Sequence, residues 1–198
     1  MKLKICGLMS LEDIECVNQA DVDYAGFVFA RGHRQELSFS AAKRLKHKLS
    51  SRIQTVGVFI DEPFDFIKSL ADGGIIDACQ FHGQAEYKMA VPTFRGFPVK
   101  NKDSIQPTAC DFVIFDAPGH WNGAVGSTGG TFDWRLVADY HEKPFFLAGG
   151  IHTGNIQEAM ALNPYGIDIS SGAEQNGKKS LTKILEVAYA CKQYRKTK

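Results

Sequence analysis

The stretch from Phe145 to Glu174 constrains the fold of this chain more than any other. An apolar run, Phe145–Ala148, stops at a pair of glycines, and a second apolar run, Ile167–Ile169, stops at Ser170-Ser171-Gly172. Between the two runs lies a helical pattern that Thr153 opens. Short apolar runs that flank a helix are typical of buried parallel strands. The stretch therefore predicts a strand–helix–strand unit.

Both predicted strands end in residues that leave backbone N–H groups open to a ligand. Gly149 and Gly150 follow the first strand, and Ser171 and Gly172 follow the second. Glycine allows phosphate oxygens to approach the backbone, and a helix N-terminus adds partial positive charge. In a (β/α)₈ barrel the phosphate site follows strands 7 and 8. These four residues are candidate phosphate ligands, although the same residues also occur in simple turns.

The rest of the chain supplies the six further strands that such a barrel needs. Apolar runs alternate with helical patterns from end to end, which favours a parallel sheet surrounded by helices. A Gly-x-Gly-x-x-Gly motif does not follow the first run, so a dinucleotide-binding fold is disfavoured. The predicted strands cover residues 2–6, 25–30, 56–60, 78–83, 94–99, 112–115, 145–148 and 167–169.

The fold class that follows is α/β, a (β/α)₈ TIM barrel formed by one domain over residues 1–198. The chain has 198 residues, whereas such barrels typically have about 250, so its connections must be short. Only about ten residues separate the fifth and sixth strands, and we expect a reduced helix after strand 5. Residues 84–90 are a candidate for another short helix.

The amino-acid composition of the chain limits the kinds of partner that we expect it to bind. The chain has 23 Lys and Arg residues and 22 Asp and Glu residues, so its net charge is close to zero. We therefore expect no nucleic-acid partner. No apolar run reaches membrane length, and residues 1–7 lack the apolar core that is typical of a signal peptide. Five cysteines without regular spacing predict neither a disulfide framework nor a metal site. We expect a cytoplasmic protein with no membrane partner.

Reactive residues of a barrel cluster at the carboxyl ends of its strands. Cys6 ends the first predicted strand and Asp116 follows the sixth. A thiolate can accept one proton while a carboxylic acid donates another, provided that the pKa of the thiol is lowered. Each residue also has a simpler interpretation: Cys6 as a small core residue, Asp116 as a turn cap. A histidine such as His82, at the fourth strand end, is more often structural than catalytic.

Seven short motifs follow one another over nearly the whole chain: Lys4–Gly7, Gly26–Phe29, Val56–Phe59, Gln80–Gly83, Gly126–Trp134, Leu147–Ile151 and Asp168–Glu174. In order and spacing they resemble the motif series of the phosphoribosylanthranilate isomerase family. The resemblance implies a small (β/α)₈ barrel that uses no metal and no cofactor. It also implies an isomerase of tryptophan biosynthesis, which converts an aminoaldose phosphate into an aminoketose phosphate by an Amadori rearrangement.

The resemblance assigns roles to residues of this chain. It implies that Cys6 is the general base at the sugar C2′ and that Asp116 is the general acid at the ring oxygen. It implies that the phosphate is held by Gly149, Gly150, Ser171 and Gly172, and it places His82 in the substrate-pocket motif. For Asp116 to stay protonated near neutral pH, burial or nearby negative charge must raise its pKa.

Three departures from the family pattern concern the anthranilate end of the pocket. The family usually has Ser-x-Arg after strand 2, where the arginine binds the anthranilate carboxylate. Here an ungapped count places Gln35 at that position, and Arg34 is the expected contact because guanidinium binds carboxylate in bidentate fashion. The family's loop lysine is replaced by Gly130. The loop after Asp116 is longer than usual and carries His120 and Trp121.

Two other functions stay open. One is an aminoaldose isomerase of the histidine-pathway type, which usually carries two aspartates, so that Cys6 argues against it. The other is a noncatalytic phosphoribosyl-binding barrel, against which Cys6 and Asp116 both argue. In each case the partner is a small phosphoribosyl compound, and we expect a monomer or homodimer.

Overall fold

The structure, a computed structural model, describes residues 1–119 and 130–196. Eight parallel strands form a closed barrel in chain order, which confirms the predicted fold class. Each predicted strand is present, and its ends lie within about two residues of the expected ones. The strands are β1 (Lys2–Cys6), β2 (Tyr24–Val28), β3 (Gln54–Phe59), β4 (Ala78–Phe81), β5 (Thr93–Pro98), β6 (Phe112–Asp116), β7 (Phe145–Leu147) and β8 (Gly166–Ile169).

The helices pack outside the barrel and differ in length. In the described part of the chain the α-helices are α1 (Leu11–Asn18), α2 (Phe39–Lys48), α3 (Phe64–Asp72), α4 (Ile156–Ala161) and α5 (Leu181–Lys196). A single 3₁₀ turn, Lys102–Ser104, connects β5 to β6, as the reduced helix after strand 5 required. Further 3₁₀ turns lie at Trp134–Val137 and Ser171–Ala173, and a small hairpin pairs β9 (Glu174–Gln175) with β10 (Lys178–Lys179).

Side chains alternate along each strand between the helices and the barrel interior. In β1, Leu3 and Ile5 belong to the large core that the strands share with the helices, whereas Lys4 faces inward and pairs with Asp168 of β8. The amino-terminal half of the interior is a separate apolar layer, which we call the floor. The floor comprises Tyr24, Val56, Ala78, Phe94, Phe112, Ile114, Phe146 and Ala148.

Aromatic rings fill most of the floor. The ring centroids of Tyr24, Phe94 and Phe146 lie 5.5 to 6.0 Å apart, in edge-to-face contact. This geometry suits the ring quadrupoles and adds to the stabilisation from burial. The floor therefore fills the amino-terminal half of the barrel interior with packed side chains.

Two local predictions were wrong. Residues 84–90 do not form a helix. Tyr87 packs against Phe64 and Phe81 instead, and Glu86 accepts a hydrogen bond from Thr108. Seven residues gain too little from helix formation to displace such contacts.

The helix between β7 and β8 begins later than predicted. Thr153 lies in a turn, and α4 starts after Asn155. The Asn155 side chain accepts from the His152 N–H and donates to the Gly150 carbonyl, at 2.8 and 3.0 Å. These bonds stabilise the loop conformation after β7 and delay the helix.

No helix among residues 1–119 and 130–196 is both long and apolar enough to cross a membrane. Nor does that part of the chain bring three or more metal-binding side chains together.

Candidate active site

A cavity opens at the carboxyl ends of the strands, next to the floor, and Ala148 of the floor also lines it. The inward-facing residues nearest the strand ends line it, together with the loops that follow β2, β6, β7 and β8. The cavity therefore brings together residues that lie far apart in the sequence. Those that bear on chemistry are Cys6, His33, Gln35, Gln80, Asp116, Gly149, Gly150, Asp168, Ser170, Ser171 and Gly172.

Cys6 reaches the cavity because its neighbour on β2 is a glycine. A Cβ atom at Gly26 would lie 2.7 Å from the Cys6 sulfur, closer than two such atoms approach. Burial raises the pKa of the Cys6 thiol above its ordinary value, while the charge of Lys4 acts in the opposite direction. The upward shift of the Cys6 pKa is opposite to the lowering expected for a general base, and it favours the protonated thiol.

Lys4 and Asp168 form an ion pair directly beneath the cavity. The Lys4 Nζ lies 2.8 Å from the Asp168 Oδ2, and the two side chains are 0% and 7% exposed. Burial alone would lower the pKa of Lys4, but the Asp168 charge outweighs it and the net shift is upward. Lys4 thus stays cationic inside the barrel, which only a close counter-ion allows.

Asp116 has the properties that a proton donor needs. Burial raises its pKa to about 7, and the charge of Asp168 adds to the shift, while a hydrogen bond from the Ala117 N–H opposes it. The Ala117 N–H to Asp116 Oδ1 distance is 2.7 Å, which fixes the carboxyl at the rim of the cavity. A carboxyl that titrates near neutral pH can donate a proton and take it back.

The loops after β7 and β8 present unused N–H groups to the same cavity. Gly149 and Gly150 have φ angles of +81° and +66°, which other residues adopt only under strain. A Cβ atom at Gly172 would lie 1.9 Å from the Ile151 carbonyl oxygen. Within residues 1–119 and 130–196, the backbone N–H groups of Gly149, Gly150, Ser171 and Gly172 donate to no protein acceptor.

The loop after β2 approaches from the other side. The Arg34 guanidinium nitrogen Nη2 lies 2.9 Å from each carboxylate oxygen of Glu174, and the Arg34 side chain is 37% exposed. Gln35 is the residue of this pair that lines the cavity, and it packs against Gly7. The structure therefore separates the two candidates: Gln35 faces the pocket, while Arg34 is paired with Glu174 at its edge.

Comparison with known proteins identifies the family. The family model described as N-(5'-phosphoribosyl)anthranilate (PRA) isomerase matches residues 3–190. The chain belongs to this family. The enzyme of that name from Endomicrobium trichonymphae is 41% identical over 194 residues, 93% of this chain and 95% of the relative. Its counterpart from Oceanobacillus iheyensis is 37% identical over 195 residues, 93% of each.

The fold agrees as well. The crystal structure of phosphoribosyl anthranilate isomerase from Thermotoga maritima is similar, with a TM-score of 0.83, 26% identity and coverage of 98% of this chain and 99% of that one. The small (β/α)₈ barrel with short connections is thus shared with this isomerase family. Gly126–Gly129, His120 and Trp121, which mark departures from the family pattern, lie outside the described residues, while Gly130 lines the cavity.

His82, the remaining residue of the family's motifs, does not line the cavity itself but contacts a residue that does. Its Nε2 is 2.5 Å from the Gln80 Nε2, and Gln80 lines the cavity. Burial lowers the pKa of His82 to about 3, so the imidazole is neutral. Gly96 makes room for the ring, because a Cβ atom there would lie 2.3 Å from the His82 Cε1.

The sequence predictions assigned no individual role to Lys4, His33 and Glu174. His33 lines the cavity, and the other two hydrogen-bond to residues that line it, Asp168 and Gln35. Glu174 accepts hydrogen bonds from Arg34, Gln35 and Lys179, at 2.9 Å each. Burial tends to raise its pKa, but Lys179 and Arg34 reverse the shift. An available signal was the position of Lys4 in an inward-facing register, where a lysine requires a buried partner.

Proposed function

We propose that this chain converts N-(5'-phosphoribosyl)anthranilate into 1-(2-carboxyphenylamino)-1-deoxyribulose 5-phosphate, in tryptophan biosynthesis, by general acid–base catalysis without a cofactor. Family membership carries the choice of substrate. The observation that carries the chemistry is one cavity that combines a thiol, a carboxyl with a pKa of about 7 and two loops. The backbone N–H groups of these loops have no acceptor among residues 1–119 and 130–196.

The first step opens the ribose ring. Asp116 donates its proton to the furanose ring oxygen, the C1′–O bond breaks, and the nitrogen lone pair forms a protonated Schiff base at C1′. A pKa of about 7 supports this role, because much of Asp116 still carries its proton at neutral pH.

The second step removes the proton from C2′. The Cys6 thiolate accepts it, the C1′–C2′ double bond forms, and the electrons of the Schiff base return to nitrogen as the enolamine. The enolamine then tautomerises to the ketone. Because burial raises the pKa of Cys6, the thiolate is a minor form at neutral pH. The positive charge of the Schiff base would favour it at the moment of reaction.

The phosphate anchors the substrate at the far side of the cavity. We assign it to the backbone N–H groups of Gly149, Gly150, Ser171 and Gly172, which point from two adjacent loops and have no protein acceptor within the described residues. Glycine at these positions allows the oxygens to approach the backbone closely.

The anthranilate carboxylate belongs at the loop after β2. Arg34 is our proposed contact, which requires its guanidinium to exchange Glu174 for the substrate carboxylate. Its partial exposure leaves room for that rotation, and Gln35 would contact the substrate from the position that it already holds. His82 would act on the substrate through Gln80, whose amide it orients.

Two coarser expectations complete the proposal. The free thiols of all five cysteines suit the reducing cytoplasm, where we propose that the enzyme acts. Its oligomeric state is proposed to be a monomer or homodimer, which sedimentation equilibrium would decide.

The deciding experiment is a turnover assay on the purified chain. Loss of N-(5'-phosphoribosyl)anthranilate fluorescence should accelerate on addition of the protein. The histidine-pathway aminoaldose, supplied as a competing substrate, should react far more slowly. If neither substrate is consumed while ribose 5-phosphate binds, the chain is a noncatalytic phosphoribosyl-binding barrel. The Asp116→Asn variant is the control for background hydrolysis.

A further inference from the structure

One carboxylate oxygen of Asp168 has no partner in the part of the protein that the structure describes. Its Oδ2 accepts from Lys4 at 2.8 Å. Its Oδ1 is buried and has no hydrogen-bond partner among residues 1–119 and 130–196. Asp168 is 7% exposed and lines the cavity. Buried acceptors are almost always satisfied in native proteins, so an exception that faces a cavity indicates a donor on the ligand.

The position of Asp168 limits which part of the ligand can meet it. Asp168 lies on β8, two residues before Ser170, whose loop continues into the proposed phosphate contacts Ser171 and Gly172. On its other side β1 pairs with β8, with Lys4 opposite Asp168 and Ile5 opposite Ile169. Asp168 therefore lies one layer below the line from the phosphate loops to Cys6.

A phosphoribosyl group that spans this line places its sugar above Asp168. The phosphate would be held by the loops after β7 and β8, and C1′ and C2′ would lie toward Asp116 and Cys6. The groups between them are sugar hydroxyls, and a hydroxyl is the donor that a carboxylate oxygen needs. The arrangement excludes the aryl carboxylate from this position, because two carboxylates would repel each other.

We propose that Asp168 Oδ1 accepts a hydrogen bond from a ribosyl hydroxyl of the substrate, with Lys4 holding the carboxylate in place through Oδ2. This inference rests on the proposed function and extends it to a further substrate-binding residue. Lys4 is a positioning residue: its ammonium donates from beneath the carboxylate and leaves the other oxygen directed at the cavity.

The test compares ribose 5-phosphate with its 2-deoxy and 3-deoxy counterparts by calorimetric titration. The wild-type chain should bind one deoxy sugar roughly ten- to a hundredfold more weakly than ribose 5-phosphate, as expected when a charge-assisted hydrogen bond is lost. Asp168→Asn should reduce that ratio to a few-fold. Which deoxy sugar binds weakly identifies the hydroxyl.

A second variant guards against misfolding of Asp168→Asn, which leaves Lys4 without its counter-ion. Lys4→Met/Asp168→Leu removes both charges together and keeps the volume of the interior nearly constant, so that it should fold. In this variant the deoxy and hydroxylated sugars should bind with equal affinity. Asp77→Asn is the matched control, because Asp77 also pairs with a lysine, Lys46, but lies before β4 at the opposite end of the barrel.

The inference is overturned if the wild-type chain binds all three sugars equally. It is also overturned if the Asp168 variants discriminate among them as the wild type does. Turnover of N-(5'-phosphoribosyl)anthranilate by the wild-type chain is measured separately. An active wild type whose Asp168 variants still discriminate removes this contact alone, whereas an inactive wild type removes the proposed function.

Discussion

The two ends of the barrel interior are built from the same strands but hold opposite kinds of side chain. The floor consists of interlocking rings and aliphatic groups, whereas the mouth holds Cys6, Asp116 and Asp168. The Lys4–Asp168 ion pair marks the boundary between them. Burial at the floor is apolar and stabilises the fold, whereas the mouth carries polar groups that stability alone would not select.

The comparison is clearest along a single strand. β6 carries Phe112 and Ile114 into the floor and ends at Asp116 in the mouth. Within one short strand, the inward-facing side chains thus change from packing residues to a reactive carboxyl. Substitutions at the two ends of one strand should therefore separate stability from turnover.

The largest effect is expected from Asp116→Asn. The amide has no acidic proton for the ring oxygen, and turnover should fall about 10²- to 10⁴-fold. The thermal midpoint should be unchanged or higher, since a buried carboxyl is replaced by a neutral group. Asp111→Asn is the control at the other end of β6, where Asp111 accepts from the Thr93 N–H and hydroxyl. It should cost about 1 kcal/mol of stability and leave kcat unchanged. Equal kcat values for the two variants would remove Asp116 from the mechanism.

The converse effect is expected from Phe146→Ala in the floor. Loss of a fully buried ring should lower the free energy of unfolding by about 3–5 kcal/mol. The kcat of the folded fraction should stay close to that of the wild type, because the ring lies away from the cavity. Urea titration and steady-state kinetics measure the two quantities. A large loss of kcat without loss of stability would show that floor and mouth are not separate.

A pair of glycine substitutions tests the same division at β8. In Gly172→Ala the new Cβ would lie 1.9 Å from the Ile151 carbonyl oxygen, so the phosphate loop must shift. Affinity for ribose 5-phosphate should fall about tenfold or more. In Gly166→Ala the Cβ would lie 2.3 Å from the Phe146 ring. Overpacking at this position should cost about 1–3 kcal/mol of stability without lowering the affinity for ribose 5-phosphate. Calorimetry of both variants decides, and equal affinities would refute the phosphate assignment to this loop.

The pH dependence of kcat/KM should reflect the mouth alone. The reactive form needs protonated Asp116, whose pKa is about 7, and ionised Cys6, whose pKa is raised. Below pH 7 both groups hold their protons, so the rate should rise as pH increases through about 7. It should then level off and fall above the pKa of Cys6, where both protons are lost. A rate that falls as pH increases through 7 would contradict this pair of roles.

The smallest effect is expected from Arg34→Ala at the rim. An exposed ion pair contributes about 1 kcal/mol or less, so the reduced product, which bears the carboxylate, should bind about fivefold more weakly. Ribose 5-phosphate should be unaffected. Arg31→Ala, a neighbouring arginine of the same loop, is the control. Equal weakening of both ligands would mean that Arg34 does not contact the carboxylate.

The sequence was sufficient to predict the barrel and the convergence of its strand ends. Buried parallel strands form continuous apolar runs, and their carboxyl ends must meet at one face. That argument alone brings Cys6 and Asp116 into the same cavity, 110 positions apart in the numbering of the chain. Their roles remain predictions, since placement does not measure catalysis.

The charged pairs could not be predicted in the same way. The strand register turns Lys4 inward, but its partner, Asp168, is brought beside it only by the closure of β8 on β1. The separation of Arg34 from Gln35 depends likewise on Glu174 and the β9–β10 hairpin. Each contact joins residues more than 100 positions apart, for which local patterns carry no information.

The missing side chain at position 26 has a consequence for redesign. The thiol occupies space that any larger residue on the adjacent strand would claim. A different proton-accepting group could therefore be installed at position 6 while position 26 stays glycine. Filling position 26, by contrast, would displace that group whatever its chemistry, so the two positions form one unit for any attempt to alter the reaction.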